Sequence, residues 1–419
     1  MIVEQKNSRV RKVSVYQAMR AALKVVMGLS VALLFAGCAG VNLNPLEWFD
    51  SDEEVNPPTE LSDIVAEVSL DRLWSVDVGN GQGNNYTEIT PAIAGRVIFA
   101  ASENGTVLAV NLDSGDVLWR NRLDERLITG GVGAGGGLVI VGSRDAEVIA
   151  LDQSNGETVW VGQVTSEVVA QPIVNDDIVV VQTVDDKVTA LDNDTGKQRW
   201  IYESTQPPLT LRGTSRPVFT PADTVVAGFS NGTLVSVSAD DGVWRWEERV
   251  AVPEGRYDID RVIDIDGDLL LDGNRIFASS YQGNLIALDV VTGRIVWGLQ
   301  DASSYHGITQ GFGNLYYCND KGHVIAVRDE SEDIVWQNED LQYRSISAPT
   351  AISNFVAVAD FEGYVHLISQ VDGRIVGRTR VDDDGVRANL LTDLGRLITF
   401  GNSGTLAAYR LQQQESSAD

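Results

Sequence analysis

From about residue 70 to residue 412 the chain alternates short apolar runs with polar turns. In "PAIAGRVIFAAS" two β-rich runs flank a Gly turn, and in "NGTVLAVNLDSGDVLWR" (104–120) the run "TVLAVNL" meets a DSG turn and then "DVLW". Glycine supplies positive φ between two strand patterns, so each pair reads as a hairpin. Two hairpins in succession predict a four-stranded antiparallel meander.

That unit recurs. Aligned on Gly115 and Trp119, further copies are "DAEVIALDQSNGETVWV", "DDKVTALDNDTGKQRWI", "NGTLVSVSADDGVWRWE", "QGNLIALDVVTGRIVWG", "KGHVIAVRDESEDIVWQ" and "EGYVHLISQVDGRIVGR". The anchors Trp119, Trp160, Trp200, Trp246, Trp297 and Trp336, with Gly377 in the tryptophan place, are 41, 40, 46, 51, 39 and 41 residues apart. A period of this size marks an array or propeller. A lone meander leaves apolar faces open, and radial stacking closes them with only short edges. The last copy, "SGTLAAYRLQ" (403–412), lacks its closing Trp strand, while "LDRLWSVDVG" (70–79) carries Trp74 with no hairpin before it. Pairing the two ends predicts a closed all-β ring: an eight-bladed β-propeller over 70–412, with the Trp set wedged between blades.

The 40 glycines and 43% hydrophobic content suit many short strands joined by tight turns. One domain is expected, because all-β folds exceed the usual domain length as single units. The N-terminus reads differently. Six basic residues from Lys6 to Lys24 precede "VVMGLSVALLFA" (25–36), a run short for a bilayer span that ends at "AGC", as an export signal does. Residues 1–37 are therefore expected to be a signal peptide. The boundary resembles a bacterial lipobox, with Phe35 where Leu is usual and Leu34 one place off, which implies acylation of Cys38. Ala39 is not the Asp that favours inner-membrane retention, so the expected location is the periplasmic face of the outer membrane, held by lipid. Residues 38–69, with the acidic, Pro-bearing "DSDEEVNPPTE", read as a tether, in which "LSDIVAEV" accommodates a short helix or strand. Residues 413–419 read as a tail. Beyond Cys38 only Cys318 remains, expected as a buried thiol with no disulfide.

After residue 37 the chain carries 26 basic against 58 acidic residues, a net charge of −32. Such a surface repels phosphate, which argues against nucleic acid and anionic headgroups as direct ligands and favours a protein partner. Catalytic motifs dissolve on inspection. "GVGAGG" (131–136) fits G-x-G-x-x-G, but a strand pattern follows it where dinucleotide binding needs a helix. "GFSNG" (228–232) fits G-x-S-x-G, yet Ser230 falls in a hairpin turn of the repeat. His306, His323 and His366 lie in different repeats without ligand spacing and read as surface or packing residues. "DIDGDLLLD" (264–272) offers close carboxylates with its Gly misplaced for a calcium loop. No acid/base pair, metal site or cofactor site is expected.

"ALDNDTGKQRW" (190–200) and "ALDVVTGRIVW" (287–297) resemble the tryptophan-docking motif of the quinoprotein dehydrogenase propellers. The vicinal Cys pair and calcium site of many of those enzymes have no counterpart in this sequence. The lipobox, length and eight units resemble the BamB family, lipoprotein subunits of the outer-membrane β-barrel assembly machine. That resemblance implies a non-enzymatic scaffold. A quinone-dependent dehydrogenase and a glycan-binding propeller are the alternatives.

If the Trp strands are outermost, the connections after them emerge on one face. Trp160 to Pro172 spans 12 residues and Trp336 to Pro349 spans 13, but Trp200 to Pro217 spans 17 and the link after Trp246 runs about 25 residues to Leu271. Two consecutive enlarged loops sit side by side, where binding residues concentrate. The first holds "PPLTLRG" (207–213): Leu209 and Leu211 either form an apolar patch beside Arg212 or begin the next strand and pack. The BamB resemblance implies the patch, because that family shares the P-L-T-L-R-G segment and a nearby D-x-D, and docks through them onto the POTRA domains of BamA. The matching residues are Leu209, Leu211, Arg212, Asp264 and Asp266. Both carboxylates either order the loop or pair with a basic partner residue. Exposed strand edges are a further expected surface, for unfolded outer-membrane protein clients.

Overall fold

The computed structural model describes residues 56–83, 87–124 and 126–414. The signal segment, Cys38, most of the expected tether and residues 415–419 lie outside the described residues. Two compact units are distinguished, Met1–Pro57 and Pro58–Asp419, and every element below belongs to the second.

Eight four-stranded antiparallel sheets make up the fold, in chain order except for one. Blade 1 comprises Ala92–Ala94, Val97–Ala101, Thr106–Asn111 and Val117–Arg122. Blades 2 to 7 repeat that order, their first strands opening at Gly133, Ile173, Val218, Leu270, Thr309 and Thr350. Blade 8 is composite: Leu391–Asp393, Arg396–Phe400 and Thr405–Gln413 are completed by Val68–Asp77 from the other end of the chain. These two strands pair antiparallel from Val68 opposite Gln413 to Asp77 opposite Thr405, with a bulge between Arg72 and Trp74. The propeller expected from the repeat is thus present, and closed as expected.

The second and third strands of each blade are buried on both faces, as in "VIFAA" and "TVLAVN" of blade 1. First strands are short and touch the first strands of neighbouring blades, which places them around the axis. Fourth strands are outermost, and alternate exposed residues with one buried tryptophan. That tryptophan crosses to the next blade. The indole N–H of Trp160 donates to the Asn193 carbonyl (2.7 Å), and its ring covers Gly196, where a Cβ would lie 2.4 Å from ring carbon. Gly196 also holds φ +67°, so glycine serves both the turn and the contact. The same bond, always to the residue three before the receiving glycine, is made by Trp74 to Leu112, Trp119 to Gln153, Trp200 to Ala239, Trp246 to Val290 and Trp336 to Gln370.

Two junctions differ. Trp297 is only half-buried and its N–H has no partner. The receiving turn of blade 6 has Glu332 in the glycine place and puts its left-handed residue at Glu330 instead. Arg275 bridges that junction, pairing with Asp329 at 2.9 Å. At the other exception, blade 8 has no turn between its third and fourth strands, because they come from opposite chain ends. Nothing there can receive a tryptophan, and Gly377 makes room for the Val68 carbonyl, which lies 2.4 Å from where its Cβ would be.

The chain ahead of the closing strand is also held. It shows neither helix nor strand over 61–67, and the expected boundary at residue 70 falls inside the strand that begins at Val68. Leu61 and Ile64 pack on the core between blades 6 and 7. Buried Arg344 donates to the Thr59 carbonyl (2.9 Å) and is itself fixed by Asp360, while Arg378 donates to the Ser62 carbonyl (2.9 Å). His366 bridges Asp360 and Arg378. All three histidines are buried rather than on the surface. His306 lies on the connection that enters blade 6, the blade whose hairpin holds His323, so these two are not in separate blades. Cys318 is buried, and burial pushes its thiol far up.

Candidate functional site

The connections from each fourth strand to the next blade gather on one face of the ring. The longest, 250–269, is adjacent to 204–217, which matches 78–91 in length and exceeds the other five. Neither Leu209 nor Leu211 starts a strand, which begins only at Val218. Both side chains are about 40% exposed, and the neighbouring loop adds Val252, Tyr257 and Ile259, all more exposed still. A short 3-10 turn, Asp258–Arg261, shapes that second loop.

One bond ties the loops together: the Leu211 N–H donates to Asp264 Oδ2 at 2.7 Å. Asp264 is fully buried, and its other oxygen has no partner. Burial, with Asp186 nearby, pushes its carboxyl up to about 7 against the pull of the Leu211 bond. Asp186 is buried too, accepting from the Ser230 hydroxyl at 2.8 Å and leaving its second oxygen unpaired. Ser230 is therefore spent as a donor to a turn carboxylate. Of the D-x-D, Asp264 spends one carboxylate oxygen on the Leu211 N–H of the adjacent loop. Asp266 makes no hydrogen bond among the described residues, and burial followed by Asp264, Asp186 and Glu88 raises its carboxyl well above the usual range.

Arg212 already has a carboxylate. Its guanidinium pairs with Glu167, which comes from the connection between blades 2 and 3 and is buried, and Arg144 approaches the same group at 3.8 Å. The Arg212 backbone is left-handed (φ 65°), which turns its side chain out of the loop's path while Leu209 and Leu211 stay exposed. Glu167 and Asp186 were invisible to local sequence reading, since each acts across a blade boundary.

Leu211, Arg212 and Asp266 also line the mouth of the axial channel, a cavity of about 900 Å³. Its wall includes Glu88, Asp268, Tyr281, Tyr305 and His306. Burial and then Asp268 push Glu88 up to about 7, with Arg387 opposing, and burial pushes His306 down to about 4, so that imidazole is neutral. The Asp268 carboxylate accepts from Asn389 at 3.2 Å. No cluster of His, Cys, Asp or Glu among the described residues has the arrangement of a metal site. The face thus offers an apolar, loop-borne patch beside a channel mouth lined by carboxyls and by the guanidiniums of Arg144, Arg212 and Arg387.

The sequence profile described as "Outer membrane protein assembly factor BamB" matches residues 63–129 and 103–338. The protein of that name from Pseudomonas aeruginosa is 47% identical over 92% of this chain and 98% of its own length. The one from Escherichia coli K12 is 35% identical over 90% and 96%. The crystal structure of BamB from Moraxella catarrhalis superposes with a TM-score of 0.74 at 27% identity, covering 81% of this chain and 99% of that one. A quinohemoprotein alcohol dehydrogenase from Comamonas testosteroni, with TM-score 0.64 at 14% identity over 83% and 78%, shares the fold alone. On the profile match and these identities along nearly its whole length, the chain belongs to the outer membrane protein assembly factor BamB family.

Proposed function

We propose that this chain is a non-enzymatic scaffold of the outer-membrane protein assembly machinery, acylated at Cys38, tethered to the periplasmic face of the outer membrane, and docked onto the POTRA domains of BamA. The observation that carries the docking reading is the Leu211–Asp264 bond, which ties the loop bearing the exposed Leu209 and Leu211 to the long loop beside it. Two leucines fixed in an exposed pose lose little entropy on binding, and an apolar centre with a charged rim is the usual anatomy of an interface. Arg212, already paired with Glu167, supplies rim charge rather than an uncompensated cation. Asp264 acts as a positioning residue, and Asp266 lines the channel mouth beside the patch.

Replacing Leu209, Leu211 and Arg212 by Ala and measuring BamA co-purification tests the patch. Recovery is expected to fall by about tenfold or more, the loss of two anchor side chains. Undiminished recovery with the ring still folded rejects the reading.

A second reading adds to this one. The outermost strands carry exposed Val117, Leu118, Val159, Val161 and Trp244 beside unpaired backbone groups, an edge suited to adding an extended client strand. The competing enzymatic reading, a quinone-dependent dehydrogenase, is tested by incubation with the quinone and calcium and assay of dye-linked alcohol oxidation; turnover sinks the scaffold reading.

A further inference from the structure

Below the mouth the axial channel narrows to a second cavity of about 410 Å³, walled by residues in or just before the first strands of six blades. Its lining combines apolar side chains, Ile93, Val174, Val218, Phe219 and Leu271 among them, with a comparable amount of polar surface, and a single charged side chain, Arg216, enters it. Arg216 Nε is buried and has no hydrogen-bond partner, the one guanidinium nitrogen in that condition among the described residues. No ion pair reaches it there, whereas Arg212, four residues earlier, is paired with Glu167. Thr214, between them, lines the mouth and also leaves its hydroxyl unpaired. A buried donor on a charged group is costly to leave unmade, and the most favourable partner for a guanidinium is a planar carboxylate that accepts two N–H groups at once.

We propose that the axial channel is a ligand site for a monocarboxylate with a short apolar tail, its carboxylate on Arg216 and its tail against the first-strand wall. Charge selects this class. One guanidinium balances one negative charge, and Arg216 is the single charged side chain lining the inner cavity. The wall has apolar surface for a tail of a few carbons and no further cation. The carboxylate is supplied by a free small acid or by the end of a polypeptide inserted through the mouth. This site is independent of the BamA-docking reading, since Arg216 is not part of the exposed patch.

Calorimetric titration of the intact folded chain with butyrate and with butyramide is the first test. The two differ only in charge and donor pattern, so butyrate is expected to bind about tenfold or more tighter. Arg216→Met is expected to abolish that difference, and Arg216→Lys to keep part of it, since a point charge attracts without the fork. Thermal unfolding without ligand checks that both variants fold. A peptide with an apolar last residue and a free C-terminus, compared with its amide, distinguishes the source. Butyrate binding without peptide binding assigns a free acid; peptide binding lost on amidation assigns a chain end. If butyrate and butyramide behave alike in the unmutated protein, or Arg216→Met leaves butyrate binding intact in a folded ring, the proposal is overturned. Leu209→Ala, at a patch residue outside the channel lining, is expected to bind butyrate normally, which separates this site from the docking patch.

Discussion

At Asp264 a single buried carboxyl connects pH to the shape of the exposed loop. Its folded value stands at about 7 against 3.8 for the ordinary group, with burial the main cause. A carboxyl raised in the folded state keeps its proton where the unfolded chain has released it. Its contribution is therefore full below the unfolded value and is lost as pH rises toward about 7. Asp264→Asn preserves an oxygen for the Leu211 N–H and removes the titration. Urea unfolding of this variant is expected to show a flatter stability profile from acid to neutral pH, and at pH 8 a gain on the order of 1–3 kcal/mol over the parent. Equal pH slopes in the two proteins would refute this role for Asp264. The residues of the patch were legible because they lie together in one segment, "PPLTLRG", and in "DID" nearby. Their supports were not. Glu167 is 45 residues from Arg212 and Asp186 is 44 from Ser230, pairings that exist only once the blades stack. Arg216 likewise reads as an ordinary loop arginine until the ring surrounds it.

The repeated fourth strand shows how far a local spacing carries. Gly and Trp four apart are read directly from the chain, and six junctions use them as expected, each with one indole bond to a carbonyl of the next blade. What the spacing conceals is whether the receiving turn is adequate. Trp297 has the right neighbours in its own repeat, but the turn facing it has Glu332 where glycine is required. The contrast makes a prediction. Trp160→Phe removes a made hydrogen bond along with ring area, and is expected to cost about 2–3 kcal/mol in urea unfolding. Trp297→Phe removes no bond and is expected to cost less than about half of that. Equal losses would mean that the indole bond contributes nothing to the junction. The Thr59–Glu67 segment is the corresponding omission on the other side: an acidic run that follows Pro57 and Pro58 and whose Leu61 and Ile64 find a core that the repeats alone do not reveal.

Closure of the ring depends on one strand that crosses from the start of the chain to its end. Val68–Asp77 pairs along the full length of Thr405–Gln413, and its Val68, Leu70 and Trp74 are buried between blades 7, 8 and 1. The clamps on Thr59, Ser62 and Glu67 bring it to that position, with the Glu67 N–H donating to the Val376 carbonyl at 2.8 Å. Removing it exposes the third strand of blade 8 and empties the wedge at Leu112. At roughly 1.5–3 kcal/mol for each of three buried apolar side chains, the loss is roughly 5–9 kcal/mol. That is comparable to the whole stability of a typical domain, about 5–15 kcal/mol, so an opened ring is not expected to survive as a cooperative unit. A chain beginning at Val78 should therefore melt broadly and well below the parent. Added in trans, the peptide "VSLDRLWSVD" should restore a single sharp transition, and the same peptide with Trp74→Ala should not, because it pairs its backbone but leaves the wedge unfilled. An unchanged melting midpoint in the shortened chain would show that seven blades and a three-stranded remnant hold the ring without this strand. In that case the face on which Leu209, Leu211 and the channel mouth lie would not depend on closure for its rigidity.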